Sequence, residues 1–295
     1  MRPKRMGRLQ LSREINGWLF VAPMLVFFLA FVVYPIGSSI KSSLYGFDYT
    51  EYYWTGFGNY VTIFQDELFR KAIRNTLTFV ICLVPAVTVL SLILSVMIHN
   101  QSNKMQSFLK ATFYIPGVTS LVSIAMVWEY IYNNQFGLIN YVLKSIGLQP
   151  VNMLGVDWAY FAITLILITT SIGSSIVVFT AALNGIPADL YESASLDGAR
   201  KLRSFFSITL PMLKPTLLYV VVTGTIGAFQ IFAIILLMTG GGPAYKTTTI
   251  MMLIYREAFV NMNFGIANAM GIVLCVIICL IAVLQFRVFK SDVEY

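Results

Sequence analysis

The 295-residue chain is 58% hydrophobic and only 11% charged, against roughly 25% charged residues in soluble globular domains, which excludes an ordinary water-soluble fold. A formal net charge of +7 invites a polyanion partner, but the basic residues cluster beside apolar runs, in the pattern that orients a membrane protein, so no nucleic acid is expected. Cys82, Cys275 and Cys279 all sit inside apolar runs without zinc-ligand spacing, and they are expected to pack as small apolar side chains.

Charge-poor runs lie between Glu14 and Lys41, Arg74 and Lys104, Lys110 and Glu129, Asp157 and Asp189, Lys214 and Lys246, and Glu257 and Arg287. A helix needs about 20 apolar residues to cross a bilayer. The predicted fold class is therefore all-α, a polytopic membrane protein with six transmembrane helices. If the six alternate, Arg2, Lys4, Arg5, Arg8, Arg13, Lys104, Lys110, Arg200, Lys201, Arg203, Lys214, Arg287 and Lys290 share one side. The positive-inside rule makes that side cytoplasmic, with both termini and the 185–215 loop on it.

Residues 1–14 form a basic tail, and 15–74 hold the first span and an external segment. The first span covers Trp18 to Ile40, with Pro23 and Pro35 as bends, and its length marks an uncleaved anchor rather than a signal peptide. Beyond it, Gly56 to Tyr60 reads as a turn and Asp66 to Phe69 as the start of a short amphipathic helix. The main membrane unit spans 75–287, followed by a tail at 288–295. Asn75-Thr76 opens the second span, which Pro85 is expected to kink. His99, the only histidine, stands at its cytoplasmic end and reads as an interfacial packing residue. Glu129, near the outer end of the third span, reads as reaching water. A short external helix is expected over Ile139 to Ile146. The fourth span, Trp158 to Leu183, carries Thr169, Thr170, Ser171, Gly173, Ser174 and Ser175 at mid-depth. The fifth carries Thr223, Gly224, Thr225, Gly227, Ala228 and Gln230. Small polar residues there either allow close helix approach or line a polar passage. Ser171, Ser174, Gly224, Gly227 and Gln230 are the candidate passage residues. Thr239 to Pro243 with Lys246-Thr247 is not a phosphate loop, because Tyr245 precedes the lysine and a membrane helix precedes the stretch. In the last span, Phe264 to Phe286, Ala267 and Gly271 give a small-residue packing edge.

Between the fourth and fifth spans lies the polar stretch Gly185 to Pro215. Pro187 suits the first turn of a helix, acid at Asp189 and Glu192 precedes base at Arg200, Lys201 and Arg203, and Gly198 marks a bend. Leu202, Phe205, Phe206 and Thr209 then follow at helical spacing as far as Pro211. Two short helices follow, presenting an acidic and apolar knob. Glu192-Ser193-Ala194, Asp197-Gly198-Ala199 and Ile208-Thr209-Leu210-Pro211 together resemble the EAA motif of permease subunits from binding-protein-dependent ABC importers, with Ser193 standing where alanine is usual. Phe113 to Pro116 is similar to the family's entry into the third helix, and Gly56 to Tyr60, Thr239 to Pro243 and Tyr255 to Phe259 resemble segments of the carbohydrate uptake branch, similar to its maltose and glycerol-phosphate members.

The resemblance implies that 185–215 is a cytoplasmic coupling-helix loop whose Glu192, Ser193, Ala194, Asp197 and Gly198 dock on an ATPase subunit. It also implies a transport role without enzymatic activity. ATP and Mg are then held by two partner ATPase subunits, and no cofactor or metal by this chain. A second permease subunit, an extracellular solute-binding protein and membrane lipid complete the expected partners, in a bacterial or archaeal cell membrane. A permease for a non-sugar solute stays open as the nearer alternative, and an ion-coupled carrier as the more distant one.

Overall fold

The computed structural model describes residues 8–47 and 51–288. Most of the tails assigned to 1–14 and 288–295 therefore lies outside the described residues. Among the described residues, four helices are long and apolar enough to cross a membrane uninterrupted: Asn16–Ser42, Glu67–His99, Ala159–Asn184 and Phe264–Val288. Two further helix pairs pass the same test only as bent units. The first joins Asn103–Val118 to Leu121–Tyr132 at 96°, and the second joins Lys201–Met212 to Lys214–Phe229 at 66°.

The first uninterrupted span is α1 (Arg8–Phe28), a π turn at Leu29–Val33 and α2 (Tyr34–Ser42). The helix runs on through Pro23, and Pro35 falls in the first turn of α2, where its missing N–H costs nothing. A small antiparallel hairpin follows, β1 (Tyr45–Phe47) on β2 (Tyr52–Trp54), with Gly46 opposite Tyr53. The all-helical expectation did not include it. Residues Gly58–Gln65 form α3. The second span, α4 (Glu67–His99), starts earlier than the sequence suggested, because the Asp66 carboxylate accepts the Leu68 N–H at 2.8 Å and caps it. What reads as a separate amphipathic helix from Asp66 is thus the first turns of α4, and α4 continues unbroken through Pro85.

After α5 (Asn103–Val118), Thr119 and Ser120 adopt extended conformations and turn the chain into α6 (Leu121–Tyr132). The short helix α7 (Leu138–Ser145) and the long α8 (Ala159–Asn184) come next. The 185–215 stretch contains α9 (Ala188–Leu196), α10 (Lys201–Ser204), a π turn at Phe205–Thr209 and α11 (Leu210–Met212). Pro211 does not end the helix as expected. The π turn, in which Leu210 N–H reaches Phe205 O, restarts the α ladder with Pro211 in its first turn, and the chain bends at Leu213 instead. Then α12 (Lys214–Phe229) stops at Gln230, and α13 (Ala233–Met238), α14 (Ile250–Tyr255), a π turn at Arg256–Val260 and α15 (Phe264–Val288) complete the fold.

Hydrogen bonds at both ends fix the direction of the two central helices. Near their starts, the Tyr160 hydroxyl of α8 donates to Asn75 Oδ1 of α4. Near their ends, His99 Nδ1 lies 3.0 Å from Asn184 Oδ1. α4 and α8 therefore run parallel, and His99 takes the packing role expected of it.

Lipid tails are as apolar as leucine, so close packing rather than the hydrophobic effect holds such helices together. Gly173 supplies that closeness between α8 and α5. A Cβ there would lie 2.2 Å from Phe113 O and 2.6 Å from Tyr114 Cα. Gly265 does the same at the start of α15, where a Cβ would meet Tyr45 O at 2.1 Å. Gly271, expected to pack tightly, has open space around it. The three cysteines are exposed on the isolated chain. In a membrane protein an apolar neighbourhood in sequence is as compatible with the lipid face as with the core, so their expected burial does not follow.

Candidate functional site

A half-enclosed cavity of about 590 Å³ opens between α8, α12 and the middle of α4. Ser171, Ser174, Gly224, Gly227 and Gln230 all line it, so the five candidate passage residues meet at one place. The reason is helical spacing. Ser171 and Ser174 stand three apart on α8, Gly224 and Gly227 three apart on α12, and residues three apart share a helix face. Gly227 has no heavy atom within 4 Å of where a Cβ would stand. It opens space, whereas Gly173, two residues from Ser171, closes a helix contact.

Three of the cavity's hydroxyls are tied to their own helices. Ser174 Oγ donates to Ser171 O at 3.0 Å, Thr170 Oγ1 lies 3.1 Å from Leu167 O, and Thr223 Oγ1 donates to Tyr219 O at 2.7 Å. Each bond uses the one hydroxyl proton and leaves acceptor capacity free. Gln230 sits where α12 ends, so its carboxamide and the irregular backbone through Phe232 border the space together. Phe232 and Tyr219, which also line it, carry no sequence signal that separates them from lipid-facing aromatics. Phe232 is backed by Tyr255 of α14, ring centroids 4.7 Å apart.

At the end of the molecule where α4 and α8 begin, a polar knot was missed by the sequence reading. Asn75 Nδ2 donates to Tyr245 O at 2.9 Å and to Thr248 O at 2.8 Å, while Thr76 Oγ1 accepts the Ile250 N–H at 3.0 Å. Thr247, Thr248 and Thr249 are buried and donate to Gly242 O, Gly241 O and Ile231 O. The Gly-Gly-Gly-Pro turn is thereby tied to α4 and to the break after α12. The run of three threonines was the available signal.

At the opposite end, α9 closes in a Schellman arrangement. Ala199 N–H bonds Ala194 O at 2.9 Å and Gly198 N–H bonds Ser195 O at 3.1 Å, with Gly198 at φ +76°. Only glycine takes that backbone angle cheaply. Glu192, Ser193, Asp197 and Gly198 are exposed and Ala194 is half-buried. The Tyr191 hydroxyl lies 2.9 Å from Thr209 Oγ1, which ties α9 to the π turn behind it. Beside the acid, Leu196 is 89% exposed, Leu202 75% and Phe206 62%.

Residues 100–294 match the family described as "Binding-protein-dependent transport system inner membrane component". The chain is 32% identical to the lactose transport system permease protein LacF of Rhizobium radiobacter, with 92% of this chain and 93% of LacF covered. It is 33% identical to the trehalose/maltose transport system permease protein MalF of Thermococcus litoralis, covering 94% and 95%. Among solved structures, a chain of a bacterial alginate ABC transporter, crystallised with an alginate pentasaccharide-bound periplasmic protein, superposes with a TM-score of 0.83 at 27% identity, covering 96% of this chain and 98% of that one. With its apolar spans, its cavity of mixed polar and apolar lining and these full-length similarities, the chain belongs to the inner membrane components of binding-protein-dependent transport systems.

Proposed function

We propose that the chain is a permease subunit of an ABC importer, forming the translocation pathway for a sugar or oligosaccharide delivered by an extracellular solute-binding protein. The observation that carries this is the cavity, where hydroxyls, glycines and one carboxamide converge inside an otherwise apolar bundle. The lactose and trehalose/maltose relatives, matched over nearly their whole length, support a saccharide as cargo.

Six crossings account best for the topology. Parallel α4 and α8 need the intervening bent pair, α5 with α6, to cross once. Thr249 Oγ1 on Ile231 O places the end of α12 beside the polar knot, so the second bent pair supports another crossing. The 75–287 unit is then the core, with both termini and 185–215 in the cytoplasm of a bacterial or archaeal cell. There Glu192, Ser193, Ala194, Asp197 and Gly198 dock on an ATPase subunit. A second, different permease and two ATPase subunits, which hold ATP and Mg, complete the assembly.

Vesicles reconstituted with the permease pair and ATPases, supplied with the binding protein, are expected to accumulate sugar on ATP and to ignore an imposed proton gradient. Gradient-driven uptake without ATP hydrolysis rules the reading out.

A further inference from the structure

Resting on that reading, the geometry points to a narrower cargo: we infer that this chain's half of the pathway selects an uncharged, hydroxyl-rich saccharide and discriminates against anionic ones. Similar proteins span both kinds. Their names include lactose and trehalose/maltose carriers on one hand, and sn-glycerol-3-phosphate and sulfoquinovosyl glycerol carriers on the other.

The decisive feature is a wall whose polar groups are all neutral, with part of their hydrogen-bonding capacity already used. Ser174, Thr170 and Thr223 each donate their proton to a carbonyl of their own helix. What they offer to the cavity is oxygen lone pairs. Thr88, Ser171, Ser175 and Tyr219 also line the cavity, with hydroxyls free to donate, so the wall asks for donors and acceptors together, as every hydroxyl of a neutral sugar provides. A carboxylate, sulfonate or phosphate brings only acceptors. Its charge would lose its water with no cationic side chain of this wall to compensate.

Two further observations agree. Among the described residues lining the cavity none is charged, and the donors not tied to a helix carbonyl include the Gln230 carboxamide. The apolar part of the wall, including Val84, Val87 and Phe232 backed by Tyr255, suits the C–H faces of a pyranose ring rather than an ionic group. A volume of about 590 Å³ lies within the range of about 300–1,000 Å³ typical of small-molecule sites. A protonated amino sugar brings donors but also a charge with no carboxylate to meet it.

Because a binding protein imposes its own selection, the test omits it. The purified complex of permease pair and ATPases is titrated in detergent with maltose, lactose and trehalose, and separately with an alginate disaccharide and sn-glycerol-3-phosphate, using calorimetry and saturation-transfer NMR. At least one neutral disaccharide is expected to bind about tenfold or more tightly than either anion, with binding lost in Gly227→Leu. Gln230→Arg is expected to narrow or invert that ratio by supplying a charge. Anions binding as tightly as the neutral sugars, or no neutral sugar binding at all, overturns the inference while leaving a sugar importer intact if vesicles still import sugar on ATP. Vesicles that import only a non-sugar solute overturn the proposed function itself.

Discussion

Asn75 holds three partners at once: two backbone carbonyls of the Tyr245–Thr248 turn and the Tyr160 hydroxyl. Replacing it with leucine keeps the bulk and strands all three. A buried polar group left unsatisfied costs about 1–3 kcal/mol, so Asn75→Leu is expected to lower the unfolding temperature of the purified complex well beyond a surface control such as Thr62→Ala. An unchanged melting curve means the knot does not hold that end of the bundle together. Two mid-membrane glycines, indistinguishable in sequence, are expected to behave oppositely. At Gly173 an added side chain meets the α5 backbone, so Gly173→Leu should disrupt folding and yield little monodisperse protein. At Gly227 the added side chain enters open space, so Gly227→Leu should purify like the parent and lose transport. Size-exclusion profiles and vesicle uptake on the pair decide it, and similar profiles for both variants refute the distinction.

At the scale of the element, helix propensity and charge were legible and irregularities were not. α9 begins beside Pro187 and ends at Gly198 because both signals are local. The π turn at Phe205–Thr209, the bend at Leu213 and the break at Gln230 depend on neighbours that no run of apolar residues reveals. The same holds for Asp66, which caps α4 rather than opening a new helix. The candidate passage residues could be grouped from sequence because hydroxyls and glycine recur at helical spacing. Their separation from packing glycines such as Gly173 needed coordinates. For α9 the docking proposal makes a graded prediction. Gly198→Leu forces a left-handed residue to carry a branched side chain, at a cost of about 1–2 kcal/mol, and adds bulk at the bend, whereas Gly198→Asn tolerates the angle. Glu192→Ala alters an exposed side chain and should leave stability within about 0.5 kcal/mol. Co-purified ATPase is expected to fall strongly for Gly198→Leu, to fall for Glu192→Ala and to change least for Gly198→Asn. Equal recovery and equal substrate-stimulated ATP hydrolysis across all three remove the docking role.

For the whole molecule, the two bent pairs decide the topology. Judged by straightness alone the described residues hold four spans, and either pair could enter and leave on the same side. The hydrogen bonds argue against that. Asn75 with Tyr160 at one end and His99 with Asn184 at the other make α4 and α8 parallel. Two parallel crossings in sequence require a return crossing between them, which the proposed topology assigns to α5 and α6 despite a 96° bend. Positions 62 and 145 then lie on one side of the membrane and 195 on the other. Thr62, Ser145 and Ser195 are exposed, which suits single-cysteine labelling once Cys82, Cys275 and Cys279 are replaced by alanine. In right-side-out vesicles a membrane-impermeant maleimide is expected to label Thr62→Cys and Ser145→Cys without disruption and Ser195→Cys only after the membrane is opened. If Ser145→Cys is instead labelled only after the membrane is opened and Ser195→Cys without disruption, α5 and α6 form a re-entrant pair. The parallel arrangement of α4 and α8 would then be wrong, and with it the proposed six-crossing topology.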